Sequence, residues 1–292
     1  MGSLTRTVLS GIRAYRRLWP LAVGRELATH AGAYATKIGL LGPEWYEFRP
    51  GLWMLLNVRD LVQQTILLEG VWDPALSRFI LEQLRPGDVF VDVGAHVGYF
   101  TLLAAQRVGA SGRVVAVEPN PVVLEQLRQN VDRSSLRNVL IEHTACADSR
   151  VPVTLHLHTE SNSSMASLFA AAATGGDAVE VACTTLDELC ARLAVQQVRL
   201  VKIDVEGAEP LVLRGMRRIM KEMRPTVVLE LHPALLEQIG TPFDAVLSML
   251  AEHDYAAEPL GGHANYVCRP TEMRSVGGWA TSEKTVERGP DV

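Results

Sequence analysis

The stretch GDVFVDVGAHVGYFTLLAA, from Gly87 to Ala105, decides the fold of this chain. Its first half, VFVDV, is a short apolar run with the β-branched content of a buried strand. Gly94 and Gly98 then interrupt the run, and YFTLLAA continues with the composition of a helix. Because glycines let the backbone approach a ligand closely, this loop is the first candidate binding site.

The same alternation of strand and helix continues along the chain. GRVVAVEP, NVLIEHTA, RLVKIDV and PTVVLELH have the pattern of further buried strands, with helical patterns between them. Such alternation predicts an α/β fold, with a parallel sheet covered by helices on both faces. VPVTLHLH and AVEVACTT alternate with period two and predict an inserted antiparallel β-hairpin. DYAAEPL and NYVCRP predict a final strand pair.

The pattern divides the chain into three regions. Residues 1–42 are predicted to form an N-terminal helical extension, which ends at the break at Gly42 and Pro43. Residues 43–270 are predicted to form the α/β domain, and residues 271–292 a disordered polar tail. Arginines alternate with apolar residues over 1–25, which predicts a helix packed on its own domain or on a partner subunit. The alternative is peripheral contact with a membrane through a basic amphipathic helix.

Composition narrows the classes of function and the compartment. The formal charge of −5 argues against a nucleic-acid groove, so we expect no nucleic-acid partner. The four cysteines lack metal-binding spacing and predict free thiols in a reducing compartment. No apolar run has the length of a membrane span, and the N-terminus lacks the pattern of a signal peptide. We therefore expect a cytoplasmic protein.

The chemistry of the glycine loop indicates a cationic ligand. A dinucleotide-binding loop would have glycine where this chain has Asp92, and a P-loop would have a Gly-Lys-Ser/Thr sequence that this loop lacks. An acidic loop that bends from Gly94 and Ala95 to Gly98 suits a positive charge better than a pyrophosphate. The next strand ends at Glu118, whose carboxylate could accept both hydroxyls of a ribose. A cationic ligand with a free ribose fits S-adenosylmethionine (SAM).

Four blocks of the sequence carry a resemblance to a known family. VDVGAHVGYFTLLAA, VVAVEPNP, TTLDEL and VKIDVEGAEPLVLRGM resemble the FkbM family of SAM-dependent methyltransferases and occur in the family's order. The resemblance implies the class I methyltransferase fold, a Rossmann-like sheet of seven strands whose last strand is antiparallel. The cofactor residues that it implies are Asp92, Gly94, Gly98, Glu118 and Asn120. It also places the adenine near Ala145 and Cys146, whereas His96 departs from the family, which usually has Asn there.

Residues at two further strand ends indicate what is methylated. Asp204 ends one strand and Glu230 another, with His232 just beyond it. The chain lacks the Asn/Asp-Pro-Pro-aromatic turn of nucleobase amino methyltransferases and a Pro-Cys nucleophile, so transfer to a hydroxyl is favoured. A hydroxyl must lose its proton near the moment of attack, and paired carboxylates could act as bases or hold Mg²⁺. The candidate catalytic residues are Asp204, Glu230, His96 and His232, with His143 as a further base and with Asp204 and Glu230 as metal ligands.

The sequence therefore predicts a SAM-dependent O-methyltransferase that acts on a hydroxyl of a small molecule, such as a sugar or a polyketide-like natural product. One alternative keeps the chemistry but takes a glycan or glycolipid at a membrane surface as the acceptor. A second alternative is a SAM-binding partner subunit without catalysis. Whether the chain forms a homo-oligomer is left open by the sequence. The segment from Glu160 to Asp177 is expected to cover the acceptor pocket.

Overall fold

A computed structural model of the chain describes residues 43–57, 60–157, 166–169, 177–261 and 264–271. The predicted extension over 1–42, the tail beyond Thr271 and most of the predicted cover segment lie outside the described residues. Those predictions therefore stay predictions. Within the described ranges, no helix is long and apolar enough to cross a membrane.

The elements follow one another in nearly the order that the sequence predicts. The first are β1 (Glu44–Arg49), β2 (Leu52–Leu56), α1 (Leu61–Glu69), α2 (Pro74–Gln83), β3 (Val89–Val93), α3 (Tyr99–Val108), β4 (Arg113–Val117), α4 (Pro121–Arg133) and β5 (Val139–Glu142). The next are β6 (Ala145–Cys146), β7 (Val153–His156), β8 (Ala178–Val181), β9 (Cys183–Thr184), α5 (Leu186–Arg192), β10 (Leu200–Ile203) and α6 (Glu209–Arg214). The last are β11 (Thr226–Glu230), α7 (Pro233–Gln238), α8 (Phe243–Ala251), β12 (Tyr255–Pro259) and β13 (Asn265–Pro270).

A seven-stranded mixed sheet forms the centre of the fold, in the order β12-β13-β11-β10-β3-β4-β5. Neighbouring strands run parallel from β11 to β5, whereas β13 runs antiparallel to both β11 and β12. The predicted class I methyltransferase sheet is therefore confirmed, including its antiparallel last strand. The strand order reverses between β3 and β10, which creates a crevice at the carboxyl ends of these two strands.

Local sequence signals explain where the helices begin. The carboxylate of Asp73 accepts a hydrogen bond from the Leu76 amide at 3.0 Å, and Pro74 occupies the first turn of α2. Asn120 caps α4 in the same way, at 3.0 Å from the Val122 amide. Polar caps of this kind satisfy amides that have no partner inside the helix.

The predicted hairpin and the predicted free cysteines are borne out, and one predicted helical segment is not continuous. The hairpin is formed by β7 and β8, which pair antiparallel, and all four cysteines are free and buried. The helical pattern AEPLVLRGMRRIMKEM, which follows RLVKIDV, does not form one continuous α-helix, because α6 ends at Arg214 and a π-helical turn follows at Ile219–Met223. Gly215 lies at this interruption in close backbone contact, since a Cβ there would lie 2.1 Å from the carbonyl oxygen of Ala147.

The N-terminal hairpin packs on the rest of the domain through α4. The buried side chain of Asn130 accepts a hydrogen bond from the Leu55 amide at 2.7 Å and donates one to the Val97 carbonyl at 2.8 Å. Its amide group therefore links β2 to the glycine loop after β3. The guanidinium of Arg133 lies over the rings of Trp45 and Trp53, at 5.7 and 5.2 Å from their centroids.

Candidate active site

A cavity opens at the carboxyl ends of the central strands, where the strand order reverses. Its wall is formed by residues that follow β3, β4, β10 and β11, with additions from β6, β7 and the α1–α2 region. The predicted site residues on this wall are Gly94, Ala95, His96, Glu118, Ala145, Cys146, Asp204 and Glu230. The structure thus brings together residues that are widely separated in the sequence.

The glycine loop is held tightly between β4 and β10. Gly94 has a φ of 80°, and a Cβ at this position would lie 1.8 Å from the carbonyl oxygen of Asp204. The amides of Gly94 and Ala95 both donate to the Val117 carbonyl at 3.0 Å. Gly98, with a φ of 91°, then begins α3. Only glycine fits at residue 94, because the conformation is left-handed and the space is filled.

The carboxylate of Glu118 forms one end of the cavity. It is 5% exposed and accepts hydrogen bonds from the amides of His96 at 2.7 Å and Asn120 at 2.9 Å. Burial raises the pKa of Glu118 to about 7, although these two hydrogen bonds act in the opposite direction. A ribose that donates its hydroxyls to this carboxylate would favour the ionised form. The position and chemistry of Glu118 therefore fit the ribose of SAM.

Three of the predicted cofactor residues lie behind the wall rather than on it: Asp92, Gly98 and Asn120. Asp92 is 0% exposed, and its carboxylate accepts a hydrogen bond from the Thr101 hydroxyl at 2.6 Å. Burial raises its pKa, and the nearby charge of Lys202 lowers it. In this structure the Asp92 carboxylate bonds within the protein, and its contact with the ligand stays a prediction.

The opposite end of the cavity has small side chains. Ala145 and Cys146 lie on the wall beside Thr144, and β6 is fixed by parallel pairing with β9. Burial strongly raises the pKa of the Cys146 thiol, so the thiol stays neutral. Ala145 and Cys146, which are predicted to lie near the adenine, are therefore on the cavity wall, and the adenine position itself stays a prediction.

Acidic side chains gather at the ends of β10 and β11. The carboxyl groups of Asp204 and Glu230 share a hydrogen bond, and the His232 ring nitrogen lies 3.2 Å from the Glu230 carboxylate. The charge of Asp204, followed by burial, raises the pKa of Glu230. Burial, followed by the charges of Asp204 and Glu230, raises the pKa of Glu206 to about 8. His232 itself is not on the wall, and its hydrogen bond to Glu230 raises its pKa to about 8.

His96 stands on the wall between the two ends of the cavity, in a left-handed conformation with a φ of 51°. Burial lowers the pKa of its imidazole, whereas the charges of Asp60 and Asp204 raise it. Asp60 is buried and caps α1, so the start of α1 places a carboxylate near the glycine loop. The net shift keeps His96 neutral and able to accept a proton.

Sequence reasoning missed Lys202, which is 3% exposed in the middle of β10. Its ammonium donates to the Asp204 carboxylate at 3.0 Å and to the Gly94 carbonyl at 3.3 Å. Burial raises the pKa of Asp204, but Lys202, Glu230 and His96 together hold this pKa below its ordinary value, with Lys202 the largest of the three. The signal was present, because a lysine inside the apolar run RLVKIDV must find partners, and it shares a face with Asp204.

The magnesium prediction gains no support from this geometry. Within the part of the chain that the structure describes, no group of three or more His, Cys, Asp or Glu side chains could hold a metal ion. The carboxylate of Asp204 already has a cationic partner in Lys202. His143, the further candidate base, lies 3.1 Å from the Pro119 carbonyl and is not on the wall.

Fold and site together define a domain of the class I methyltransferase type. The chain belongs to the FkbM methyltransferase family, because the model of the Methyltransferase FkbM domain matches residues 92–257. The family suggested by the four sequence blocks is thus confirmed, and the family is one of SAM-dependent enzymes.

Two curated relatives align over more than half of the chain. The 31-O-demethyl-FK506 methyltransferase FkbM of Streptomyces tacrolimicus is 29% identical over 202 residues, which cover 59% of this chain and 74% of the relative. The hexuronic acid methyltransferase AglP of Haloferax volcanii is 27% identical over 161 residues, covering 53% of this chain and 60% of the relative.

Other similarities are shorter or more distant. The arsenite methyltransferase of Halobacterium salinarum is 34% identical over 77 residues, and this chain spans only 20% of its length. A crystal structure of a methyltransferase FkbM from Methylobacillus flagellatus is 14% identical, covers 71% of this chain and 52% of its own, and has a TM-score of 0.44.

Proposed function

We propose that this chain is a SAM-dependent O-methyltransferase that acts on a hydroxyl of an uncharged small molecule. One observation carries the proposal. The Asp204 carboxylate is ionised beside Lys202 and lies on the same cavity wall as the glycine loop, whose Gly94 packs against the Asp204 backbone. It is therefore next to the place where the family binds its methyl donor.

Each side chain of this site has a separate role in the proposed reaction. SAM, when bound, supplies an electrophilic methyl group. Glu118 and the loop at Gly94 bind and orient the donor, and the Asp204 carboxylate accepts the proton of the acceptor hydroxyl. A weakly basic carboxylate is sufficient, because the hydroxyl proton becomes strongly acidic as its oxygen forms the new bond to carbon. The hydrogen bonds from Asp204 through Glu230 to the exposed His232 offer a route for this proton to the solvent.

Electrostatics favour an acceptor without negative charge. Asp204, Glu206 and Glu230 all line the acceptor side of the cavity. Among the described residues of the wall, Lys202 is the only lysine or arginine, and its ammonium is already paired. Residues 160–177, which are predicted to cover the pocket, contain no lysine or arginine in their sequence. The pKa values of Glu206 and Glu230 are raised, so the negative charge of this side rests mainly on Asp204. The described wall therefore has no unpaired cation to hold a carboxylate or phosphate on the acceptor, whereas an uncharged hydroxyl needs none.

The relatives support transfer to oxygen but leave the acceptor open. The Streptomyces relative is named for 31-O-demethyl-FK506 and the Haloferax relative for a hexuronic acid. The acidic wall favours the uncharged type of acceptor for this chain. The alternative of a glycolipid acceptor at a membrane depends on residues 1–25, which lie outside the described residues.

A screen with labelled SAM tests the proposal. Neutral sugars and hydroxylated macrolides are compared with matched uronic acids, each with and without a chelator. We expect label transfer to an oxygen of a neutral acceptor, at least about tenfold faster than to its uronic acid counterpart. Tight binding of S-adenosylhomocysteine (SAH) without transfer to any acceptor would instead support the non-catalytic partner subunit. Faster transfer to uronic acids would contradict the proposed class of acceptor.

A further inference from the structure

We propose that Lys202 is a positioning residue, the site's own cation, which fixes both the Asp204 carboxylate and the glycine loop in the geometry that methyl transfer requires. Its effect on turnover, through Asp204, rests on the proposed function. Its effect on the loop, through Gly94, does not, and can be measured without an acceptor.

The geometry places Lys202 at the junction of the two central strands. In the parallel pairing of β10 with β3, Lys202 lies opposite Asp92. Its ammonium is 3.0 Å from the Asp204 carboxylate, 3.7 Å from the Asp92 carboxylate and 3.3 Å from the Gly94 carbonyl oxygen. It also lies over the ring of Phe100, at 5.4 Å from the centroid. One side chain therefore contacts β3, its following loop, α3 and the end of β10.

Stability alone does not account for a lysine at this position. Removing an ammonium from water is costly, and well-packed apolar residues in place of a buried ion pair are often neutral or stabilising. An apolar side chain at position 202 would leave the buried carboxylates of Asp92 and Asp204 without this cation. It would therefore be tolerated only if both aspartates were also replaced. What the ammonium adds is direction, because it holds one oxygen of Asp204 and thereby fixes the rotation of that carboxylate.

This orientation matters for the transfer step. The hydroxyl oxygen of the acceptor forms a bond to the methyl carbon, the sulfonium sulfur keeps the electron pair of the broken bond, and the proton passes to Asp204. The positive charge on sulfur and the negative charge on Asp204 are both neutralised in this step. Lys202 stays protonated throughout, so it contributes position and field rather than a proton.

The experiment combines charge removal with a test of dependence on Asp204. Lys202→Met removes the charge and keeps the length, Lys202→Arg keeps the charge, and Lys221→Met removes an exposed lysine as the matched control. Each is made in the wild-type chain and, for Lys202→Met, also in an Asp204→Asn background. The measurements are kcat and KM with the acceptor from the screen, and SAH affinity by calorimetry.

If Lys202 acts through Asp204, Lys202→Met lowers kcat by about 100-fold in the wild-type chain but by less than about threefold in the Asp204→Asn background. Lys202→Arg should recover at least about tenfold of the loss, and Lys221→Met should behave as wild type. Equal losses in both backgrounds would overturn the role through Asp204, because a purely structural defect would act in either. Loss of activity with chelator and its return with Mg²⁺ would overturn the assignment of Lys202 as the site's cation.

Folding and the acceptor are controlled separately. If Lys202→Met does not fold, the double variant Lys202→Met with Asp92→Asn removes one positive and one negative charge together and takes its place. Through the Gly94 carbonyl, we expect the loss of Lys202 to weaken SAH binding by about tenfold. Unchanged SAH affinity in a folded variant would overturn the role in the loop. If the wild type binds SAH but methylates nothing, the proposed function fails, and the Lys202 inference is judged by SAH affinity alone.

Discussion

The backbone of Gly94 lies so close to that of Asp204 that a Cβ on the glycine would be 1.8 Å from the aspartate carbonyl oxygen. The glycine loop after β3 and the backbone at the end of β10 are therefore in direct contact. Lys202 bridges the same two points through its side chain, at 3.3 Å from Gly94 and 3.0 Å from Asp204. Under the proposed function, donor binding and proton acceptance therefore depend on one structural unit.

Gly94→Ala should disrupt this unit. We expect a loss of stability of at least about 3 kcal/mol, because left-handed strain is added to a backbone clash, and no measurable SAH binding. Gly70→Ala is the matched control, since Gly70 has a similar φ of 76° but no atom within 4 Å of an added Cβ. It should cost only about 1–2 kcal/mol and leave binding intact. Denaturant unfolding measures the loss of stability, and calorimetry measures the SAH affinity. Equal losses of stability at residues 94 and 70 would show that the contact with Asp204 is unimportant.

SAH binding should depend on pH through Glu118. Burial raises the pKa of this carboxyl from an ordinary 4.5 to about 7, so the free protein loses stability from this group as pH rises through that interval. Ribose hydroxyls favour the ionised form, so binding should release protons below the raised pKa. Affinity should therefore increase as pH rises from 5 towards about 7 and then level off.

Calorimetry in two buffers of different ionisation enthalpy measures this proton release directly. Glu118→Gln is the control, because it keeps the shape and cannot titrate. The variant should bind SAH more weakly, by up to a few kcal/mol, with an affinity that no longer follows pH over this range. Proton release that is the same in the variant would rule out Glu118 as the ribose ligand.

Truncations should separate the N-terminal extension from the domain. A chain that begins at residue 42 should fold and bind SAH, since the described fold starts with β1. A chain that begins at residue 58 should lose stability, because it removes the β2 amide that Asn130 bonds at 2.7 Å. Thermal unfolding and SAH titration of both chains test this. Failure of the longer chain to fold would show that residues 1–41 belong to the domain.

Much of the fold was predictable because its signals are local. The strand VFVDV and the glycines after it depend on neighbours in the sequence and appear where expected. The helix caps at Asp73 and Asn120 are local signals of the same kind. The close approach of Gly215 to the carbonyl of Ala147 was not predictable, because Ala147 is distant in sequence.

Some residues of the candidate site were likewise predictable from the sequence, and others were not. The strand ends identified Glu118, Asp204 and Glu230, since parallel strands bring their carboxyl ends to one edge. The sequence could not show that the Asp92 carboxylate bonds to the Thr101 hydroxyl, nor that Lys202 pairs with it across β3 and β10. Both depend on strand register, which is fixed only when the sheet has formed.

The turnover of Asp204→Asn on the acceptor found by the screen tests the central claim most directly. The substitution keeps the shape of the side chain and removes its charge and proton-accepting role. We predict a fall in kcat of about 100-fold or more, with SAH affinity within a few-fold of wild type, because the donor is held mainly at the ends of β3 and β4. Turnover close to the wild-type rate would contradict the account, since Asp204 could then not be the group that accepts the proton.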